Sequence, residues 1–155
     1  MKNSFLQEIT GESVEKYRNL LSALKVGRED AEILQRYLIS ETFVANQGLL
    51  ASFSAKLTEM INSLGKIGIT LGIKEPSIKE ALNYERCLSV EFRDAKETFE
   101  EMFKLCEFLY HEMREIVNEL DFPIEVRTMI MDYQICLRNY AAHDANQALM
   151  GGAGL

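Results

Sequence analysis

The chain has 155 residues, which fits a single domain and is long enough to enclose a hydrophobic core. Hydrophobic residues make up 47% of it and charged residues 26%, an ordinary globular composition, and the formal net charge is −7. Because nucleic-acid phosphates are bound by clustered Lys and Arg, this charge argues against a broad nucleic-acid interface, although it permits a small basic site. There is no signal-peptide pattern in residues 1–10 and no apolar run of membrane-spanning length, so we expect a cytoplasmic protein without a membrane anchor.

The cysteines also indicate a cytoplasmic protein. Cys87, Cys106 and Cys136 form neither a CxxC motif nor a cluster with the spacing of metal ligands. Their odd number and apolar neighbours indicate reduced, buried thiols in a cytosolic protein.

The first predicted helix covers residues 13–38. Its apolar residues are Val14, Tyr17, Leu21, Leu24, Ala31 and Leu34. Gly27 interrupts this face, and Glu29, Asp30 and Glu32 follow it. The gap has two interpretations: a close helix crossing at Gly27 with the charges in water, or a carboxylate directed into the protein interior.

The second predicted helix covers residues 40–64. Its apolar residues are Phe43, Leu50, Phe53, Leu57, Met60, Ile61 and Leu64. Residues 65–76 contain three glycines, so we expect a loop there. Ser77 and Glu80 have the spacing of a capping box, which predicts the start of a further helix.

The strongest pattern lies between residues 78 and 120. Twelve positions follow at alternating steps of four and three residues: Ala81, Glu85, Leu88, Phe92, Ala95, Phe99, Met102, Cys106, Leu109, Met113, Ile116 and Leu120. This repeat places them on one stripe of a helix, along which the other helices must pack. A single helix over residues 77–120 would be roughly 66 Å long at about 1.5 Å per residue. Since Asp94 and Glu97 could form a second capping box, we favour a break or strong kink near Asp94.

The final helix is predicted over residues 123–150, with Asp121 or Phe122 as its cap and Pro123 in its first turn. Its inner face contains Val126, Met129, Ile130, Tyr133, Cys136, Leu137, Tyr140 and His143. Residues 1–11 and 151–155 are expected to be flexible tails. The chain is therefore predicted to be a single all-α domain, an antiparallel four-helix bundle in which a break near Asp94 would add a fifth helix.

Parts of the chain resemble a known family. The last helix begins Asp121-Phe-Pro-Ile-Glu-Val-Arg and carries Ala142-His143-Asp144 near its end. It resembles the last helix of a small bacterial family of ferritin-like, rubrerythrin-related bundles. Residues 20–29 and 56–65 and the Cys106-Glu107 pair are also similar to that family. The resemblance implies a ferritin-like bundle with oxidoreductase or iron-handling chemistry.

A ferritin-like di-iron centre requires a specific set of ligands. It takes a Glu from each of two helices and a Glu-x-x-His from each of the other two, because positions i and i+3 share one face. This chain has two histidines, and neither follows a Glu at that spacing. A variant di-metal site for iron can still be assembled from Glu29, Glu59, Glu107, His111 and His143. The alternative is a metal-free scaffold in which His143 is a hydrogen-bonded core or interface residue.

A second resemblance concerns Arg138, Asn139 and His143. It is to the HEPN ribonucleases, which are all-helical and carry Arg, often followed by Asn, and then His near the C-terminus. In that family the Arg and His of two subunits would face one RNA phosphate. Carried over, Arg138 and His143 would be the catalytic pair with Asn139 in support. Otherwise Arg138 and Asn139 face water while His143 packs.

A third hypothesis is a structural or interaction module. An adaptable apolar surface could be made by Met102, Met113, Met129 and Met131 with Phe99 and Phe103, although such residues more often form a core. If the long helix continues past Asp94, its free end needs a partner. We therefore expect a homo-oligomer, most simply a dimer.

Overall fold

The computed structural model describes residues 9–39, 44–82 and 95–149. Within these ranges it contains no strand and five α-helices: α1 (Gly11–Ile39), α2 (Val44–Thr70), α3 (Ile78–Leu82), α4 (Ala95–Val117) and α5 (Ile124–Leu149). The prediction of an all-α chain is confirmed for these residues. None of the described helices combines the length and the apolar character that a membrane span requires.

The helices share one hydrophobic core. Helix α1 packs against α2, α3 and α4, while α4 and α5 form the most extensive pair. The largest fully buried side chains include Tyr17 and Phe53, Phe99 from α4, and Phe122 from the turn before α5. The four long helices therefore bury their apolar faces against one another, as the helical periodicity predicts.

The start of α1 is joined to the turn between α4 and α5. The Thr10 hydroxyl accepts a hydrogen bond from the Ser13 amide at 3.2 Å, the geometry of an N-cap. Asp121 in turn accepts hydrogen bonds from the Thr10 amide at 2.9 Å and from the Ser13 hydroxyl at 2.8 Å. Asp121 or Phe122 was expected to cap the last helix, but Asp121 binds the N-terminus of α1. At α5 the Pro123 carbonyl accepts the first helical hydrogen bonds instead.

Helix α2 continues through two glycines that were expected to break it. Gly65 and Gly68 are buried inside the helix, which ends at Thr70. A Cβ atom at Gly68 would lie 3.3 Å from the Tyr17 ring. The Tyr17 hydroxyl donates a hydrogen bond to the Leu64 carbonyl at 2.6 Å. Gly68 is thus a packing position, where the missing side chain lets α1 and α2 approach each other.

The end of α2 is set by Gly72, which has a φ of 77°. The Ile73 amide bonds to the Gly68 carbonyl at 2.7 Å and the Gly72 amide to the Ile69 carbonyl at 3.1 Å. These are the two hydrogen bonds of a Schellman motif, in which glycine tolerates the left-handed conformation.

The predicted capping box at the start of α3 is confirmed. The Ser77 hydroxyl accepts a hydrogen bond from the Glu80 amide at 3.1 Å, and the Ser77 amide donates to the Glu80 carboxylate at 3.3 Å. Arg18 forms an ion pair with the same carboxylate. The Ser77 amide and Arg18 lower the pKa of Glu80.

The heptad stripe is confirmed along α4. Its members Phe99, Met102, Cys106, Leu109, Met113 and Ile116 are all buried. Leu120 is exposed because α4 ends at Val117. Residues 83–94 lie outside the described residues, and so do Glu85, Leu88, Phe92, Cys87 and the break predicted near Asp94. The same holds for Phe43 and for most of the two expected tails.

Candidate functional site

The five candidate metal ligands Glu29, Glu59, Glu107, His111 and His143 are exposed. Glu59 pairs with Lys56 at 2.7 Å on the surface of α2. Glu107 and His111 border one cleft, and the other three candidates lie elsewhere. Over residues 9–39, 44–82 and 95–149, no group of three or more His, Cys, Asp or Glu side chains is close enough to hold a metal ion.

The acidic side chains that the fold buries are different ones. Asp30 on α1 is 1% exposed, and Glu101 on α4 and Asp144 on α5 are also buried. At Gly27, one turn before Asp30, an added Cβ would lie 3.0 Å from Leu105 of α4. The structure combines parts of both interpretations of the gap in the first helix: the helices cross closely at Gly27 and Glu29 and Glu32 are exposed, but the Asp30 carboxylate is buried.

Asp144 occupies the inner position of α5 that was expected for His143. It is 2% exposed, and the Cys106 thiol lies 3.7 Å from its Oδ2 atom as a hydrogen-bond donor. Burial raises the pKa of Asp144 to about 8. Burial, together with the nearby Asp144 carboxyl, raises the pKa of Cys106 well above its usual value. At neutral pH the pair is thus predominantly protonated and uncharged.

His143 is exposed on the adjacent side of α5. The remaining residues of the predicted inner face are buried or half-buried. A signal for Asp144 was present in the sequence, because it lies seven residues after the buried Leu137 and fourteen after the buried Ile130. Strict continuation of that seven-residue repeat leads to Asp144, one position after His143.

A cleft of ≈ 210 Å³ lies between α4 and α5. It is bordered on α4 by Glu107, Tyr110, His111 and Arg114, and it is completed by Cys106, Leu137, Arg138 and Ala141. The four α4 positions are spaced i, i+3, i+4 and i+7, so they share one face of the helix. One acidic and two basic side chains thus surround a small opening.

Tyr110 and Arg138 connect the two walls of this cleft. The Arg138 guanidinium lies 5.0 Å from the centre of the Tyr110 ring, and its Nη2 atom donates a hydrogen bond to the Tyr110 hydroxyl at 3.0 Å. Gln134 donates to the Tyr110 backbone carbonyl at 3.2 Å. The ring of His111 is 6.0 Å from the Tyr110 ring.

The residues suggested by the ribonuclease resemblance do not meet at this cleft. Arg138 borders it, whereas Asn139 and His143 are exposed elsewhere on α5. Positions five residues apart are separated by about 140° around a helix, so Arg138 and His143 of one chain face different directions. The histidine that borders the cleft with Arg138 is His111.

Helix α5 also carries an exposed apolar stripe, which we call the outer stripe. It consists of Ile124, Thr128, Met131, Ile135, Arg138, Ala142, Ala145 and Leu149. All are exposed except the half-buried Ala145, with Ile124 at 56% and Ile135 at 60% exposure. The steps alternate between four and three residues, so the stripe is a second heptad repeat, separate from the buried one. This repeat was not recognised from the sequence.

Comparisons with known proteins leave the chain without an assigned relative. No family model, curated protein or solved structure matches it. Its function must therefore be argued from its own residues.

Proposed function

We propose that the chain is a self-associating structural module: a four-helix bundle with ferritin-like connectivity that pairs with a second copy through the outer stripe of α5. The bundle topology is supported by contacts between the helices, and the self-association is supported by the outer stripe. These two arguments are independent.

The contacts indicate how the helices run. Tyr17 contacts Leu64 while Arg28, further along α1, contacts Thr58, which indicates that α1 and α2 are antiparallel. Helices α1 and α4 are antiparallel by the same reasoning. Lys16 lies 3.7 Å from Glu115, whereas Gly27, further along α1, approaches Leu105, ten positions earlier in α4.

Helices α4 and α5 are also antiparallel, since Cys106 contacts Asp144 and Tyr110 contacts Gln134. Helices α2 and α4 then run in the same direction, which requires one long crossover connection between them. One long crossover of this kind characterises ferritin-like bundles. This connectivity agrees with the family resemblance of the sequence.

The iron site expected from that resemblance is not part of this proposal. Of its five ligand candidates, only Glu107 and His111 share a cleft. We propose the bundle because of the way its helices connect, and we propose its function because of the outer stripe that α5 exposes.

The outer stripe is the observation that carries the functional proposal. A heptad repeat with Ile and Met at its core positions is the pattern with which one helix packs against another. Within the described residues, no helix of the same chain covers Ile124 or Ile135. Burying such side chains contributes roughly 25 cal/mol for each Å² of apolar surface, which favours a partner helix.

A second copy of α5 fits this stripe in the antiparallel orientation. Ile124, Met131 and Ile135 lie in its first half, and the small Ala142 and Ala145 lie in its second half. A two-fold axis between residues 136 and 137 places Met131 opposite Ala142, and Ile124 opposite Leu149. The large Met131 then packs against the small Ala142, which favours a high packing density at this layer.

Charge favours the same orientation. A parallel pair would place Arg138 opposite Arg138, and the like charges would repel each other. In the antiparallel pair Arg138 lies opposite Ile135, within one turn of Asp132 of the second copy. Two symmetry-related attractions replace one repulsion, which makes a second copy the fitting partner.

Sedimentation velocity over a range of concentrations tests the proposal. We expect the wild-type chain to dimerise and Met131→Asp to weaken dimerisation by more than about a hundredfold, because the carboxylate would be buried opposite Ala142 in an apolar layer. Ile69→Asp is the matched control, since Ile69 is 76% exposed at the end of α2, outside the stripe. A monomeric wild type, or equal weakening by both variants, would contradict the proposal.

Cross-linking tests the orientation. A mixture of Met131→Cys and Ala142→Cys chains should form disulfide-linked heterodimers under mild oxidation, and neither variant alone should exceed the wild-type background from the native cysteines. Efficient cross-linking of each variant with itself would instead indicate a parallel pair.

A further inference from the structure

The cleft between α4 and α5 brings together two arginine side chains that form no ion pair within the described residues. Many other basic side chains of these residues lie in ion pairs: Lys16, Arg18, Lys25, Arg28, Lys56 and Lys104. Arg36 and Arg127 form none either, but Arg114 and Arg138 border one cleft together. Two guanidinium groups on different helices therefore border one small opening, which the Glu107 carboxylate also borders.

One of the two guanidinium groups is held in position without losing its charge. Arg138 lies over the ring of Tyr110 and donates one hydrogen bond to its hydroxyl, while Gln134 fixes the backbone of Tyr110. Guanidinium has five N–H donors, so most of them remain available for a ligand. A fixed guanidinium loses little conformational entropy when it binds an anion.

Size and chemistry together limit the ligand. The cleft of ≈ 210 Å³ is smaller than the pockets of about 300–1,000 Å³ that hold drug-sized molecules. Arginine recognises phosphate oxygens with paired N–H donors, and His111 adds a further donor at the same edge. Glu107 borders the cleft one turn before His111, and its carboxylate can accept hydrogen bonds from hydroxyl groups.

We propose that this cleft binds a small hydroxylated phosphate monoester. The phosphate group lies between Arg114 and Arg138 beside His111, and the hydroxylated carbon chain extends toward Glu107. The cleft is formed by α4 and α5 of a single chain. Arg138 also belongs to the outer stripe, where the proposed dimer places Asp132 of the second copy within one turn of it, so phosphate binding and dimerisation compete for Arg138.

Nitrogen–proton correlation NMR tests the site, with glycerol 3-phosphate and inorganic phosphate as probes and sodium chloride at equal ionic strength as the reference. We expect saturable shifts at the backbone signals of Tyr110, His111 and Arg114. Arg114→Gln should weaken glycerol 3-phosphate binding about tenfold, the effect of losing a charge-assisted hydrogen bond. Arg36→Gln, which removes an exposed arginine in the last turn of α1, should leave binding unchanged.

The Glu107→Gln variant tests the binding of the phosphate group and of the hydroxylated carbon chain separately. It should increase the affinity for inorganic phosphate, because a repelling carboxylate is removed, and reduce the preference for glycerol 3-phosphate. Shifts that do not saturate, that chloride reproduces, or that Arg114→Gln and Arg36→Gln change equally would overturn the site. The same titration on Met131→Asp, seven residues before Arg138 and outside the cleft, keeps the two proposals apart, since this monomeric variant should bind the probes at least as tightly as the wild type.

Discussion

Helix α5 has two heptad faces, and each contains exceptions to the usual relation between polarity and burial. Its inner face buries Gln134 and Asp144, whereas its outer stripe exposes Ile124 and Ile135. The inner polar groups are accommodated because Gln134 bonds to the Tyr110 carbonyl of α4 and Asp144 accepts from a thiol of that helix. The comparison teaches that polar side chains can be buried on α5 where the neighbouring helix offers them a partner, while apolar side chains stay exposed where no described helix of the same chain covers them.

The largest difference between the two faces should appear in the free energy of unfolding when one side chain on each face is truncated to Ala. Leu137→Ala should lower the free energy of unfolding by about 2–5 kcal/mol, because a buried side chain leaves a cavity. Ile135→Ala should change it by less than about 0.5 kcal/mol in dilute solution, where the chain is monomeric. Urea denaturation measures both. Equal losses would mean that the two faces are not distinct in the folded monomer.

Asp144 should make the inner face sensitive to pH. Its pKa is about 8 in the folded chain, against an ordinary value of 3.8. The folded state therefore keeps a proton that the unfolded state releases, so stability should decrease as pH rises from about 4 to 8 and then level off. Asp144→Asn should remove this slope and so gain up to about 5 kcal/mol on the wild type between pH 4 and pH 8, since its amide neither takes up nor releases a proton on folding.

Denaturation of both proteins across this pH range checks the prediction. Asp132→Asn is the matched control because Asp132 is exposed on the same helix, and it should keep the wild-type slope. A wild-type stability that does not decline with pH would show that Asp144 ionises normally in the folded chain.

The smallest effect is expected where the inner and outer faces meet. Tyr110→Phe removes the hydroxyl that accepts from Arg138 but keeps the ring beneath the guanidinium. Because Arg138 is exposed, the cost should be about 0.5 kcal/mol. Thermal denaturation at several salt concentrations measures it. A loss as large as that of Leu137→Ala would show that this contact is part of the core.

Much of the helical framework could be predicted from the sequence. The stripe from Phe99 to Ile116 and the Ser77–Glu80 capping box depend on residues close together in the chain. The structure reproduces both. Gly68 was misassigned because its role depends on Tyr17, which approaches from another helix.

The candidate sites were less predictable for the same reason. Glu107 and His111 border the same cleft because they are one turn apart on one helix. The contact between Arg138 and Tyr110 depends on the register between α4 and α5, which one sequence does not specify. His143 was placed inside because the rotation of α5 was misjudged by one residue, and that error concealed Asp144.

The hydrogen bonds of Asp121 have a consequence for the order of folding. They join residues 108 and 111 positions apart, so α1 cannot gain this cap until the turn after α4 has formed and docked. Contacts of such long range close late, whereas α4 and α5 are neighbours in sequence and can pair early. Asp121→Ala should therefore accelerate unfolding while leaving the refolding rate nearly unchanged. Stopped-flow kinetics would show a slower refolding rate if the cap formed before the rate-limiting step.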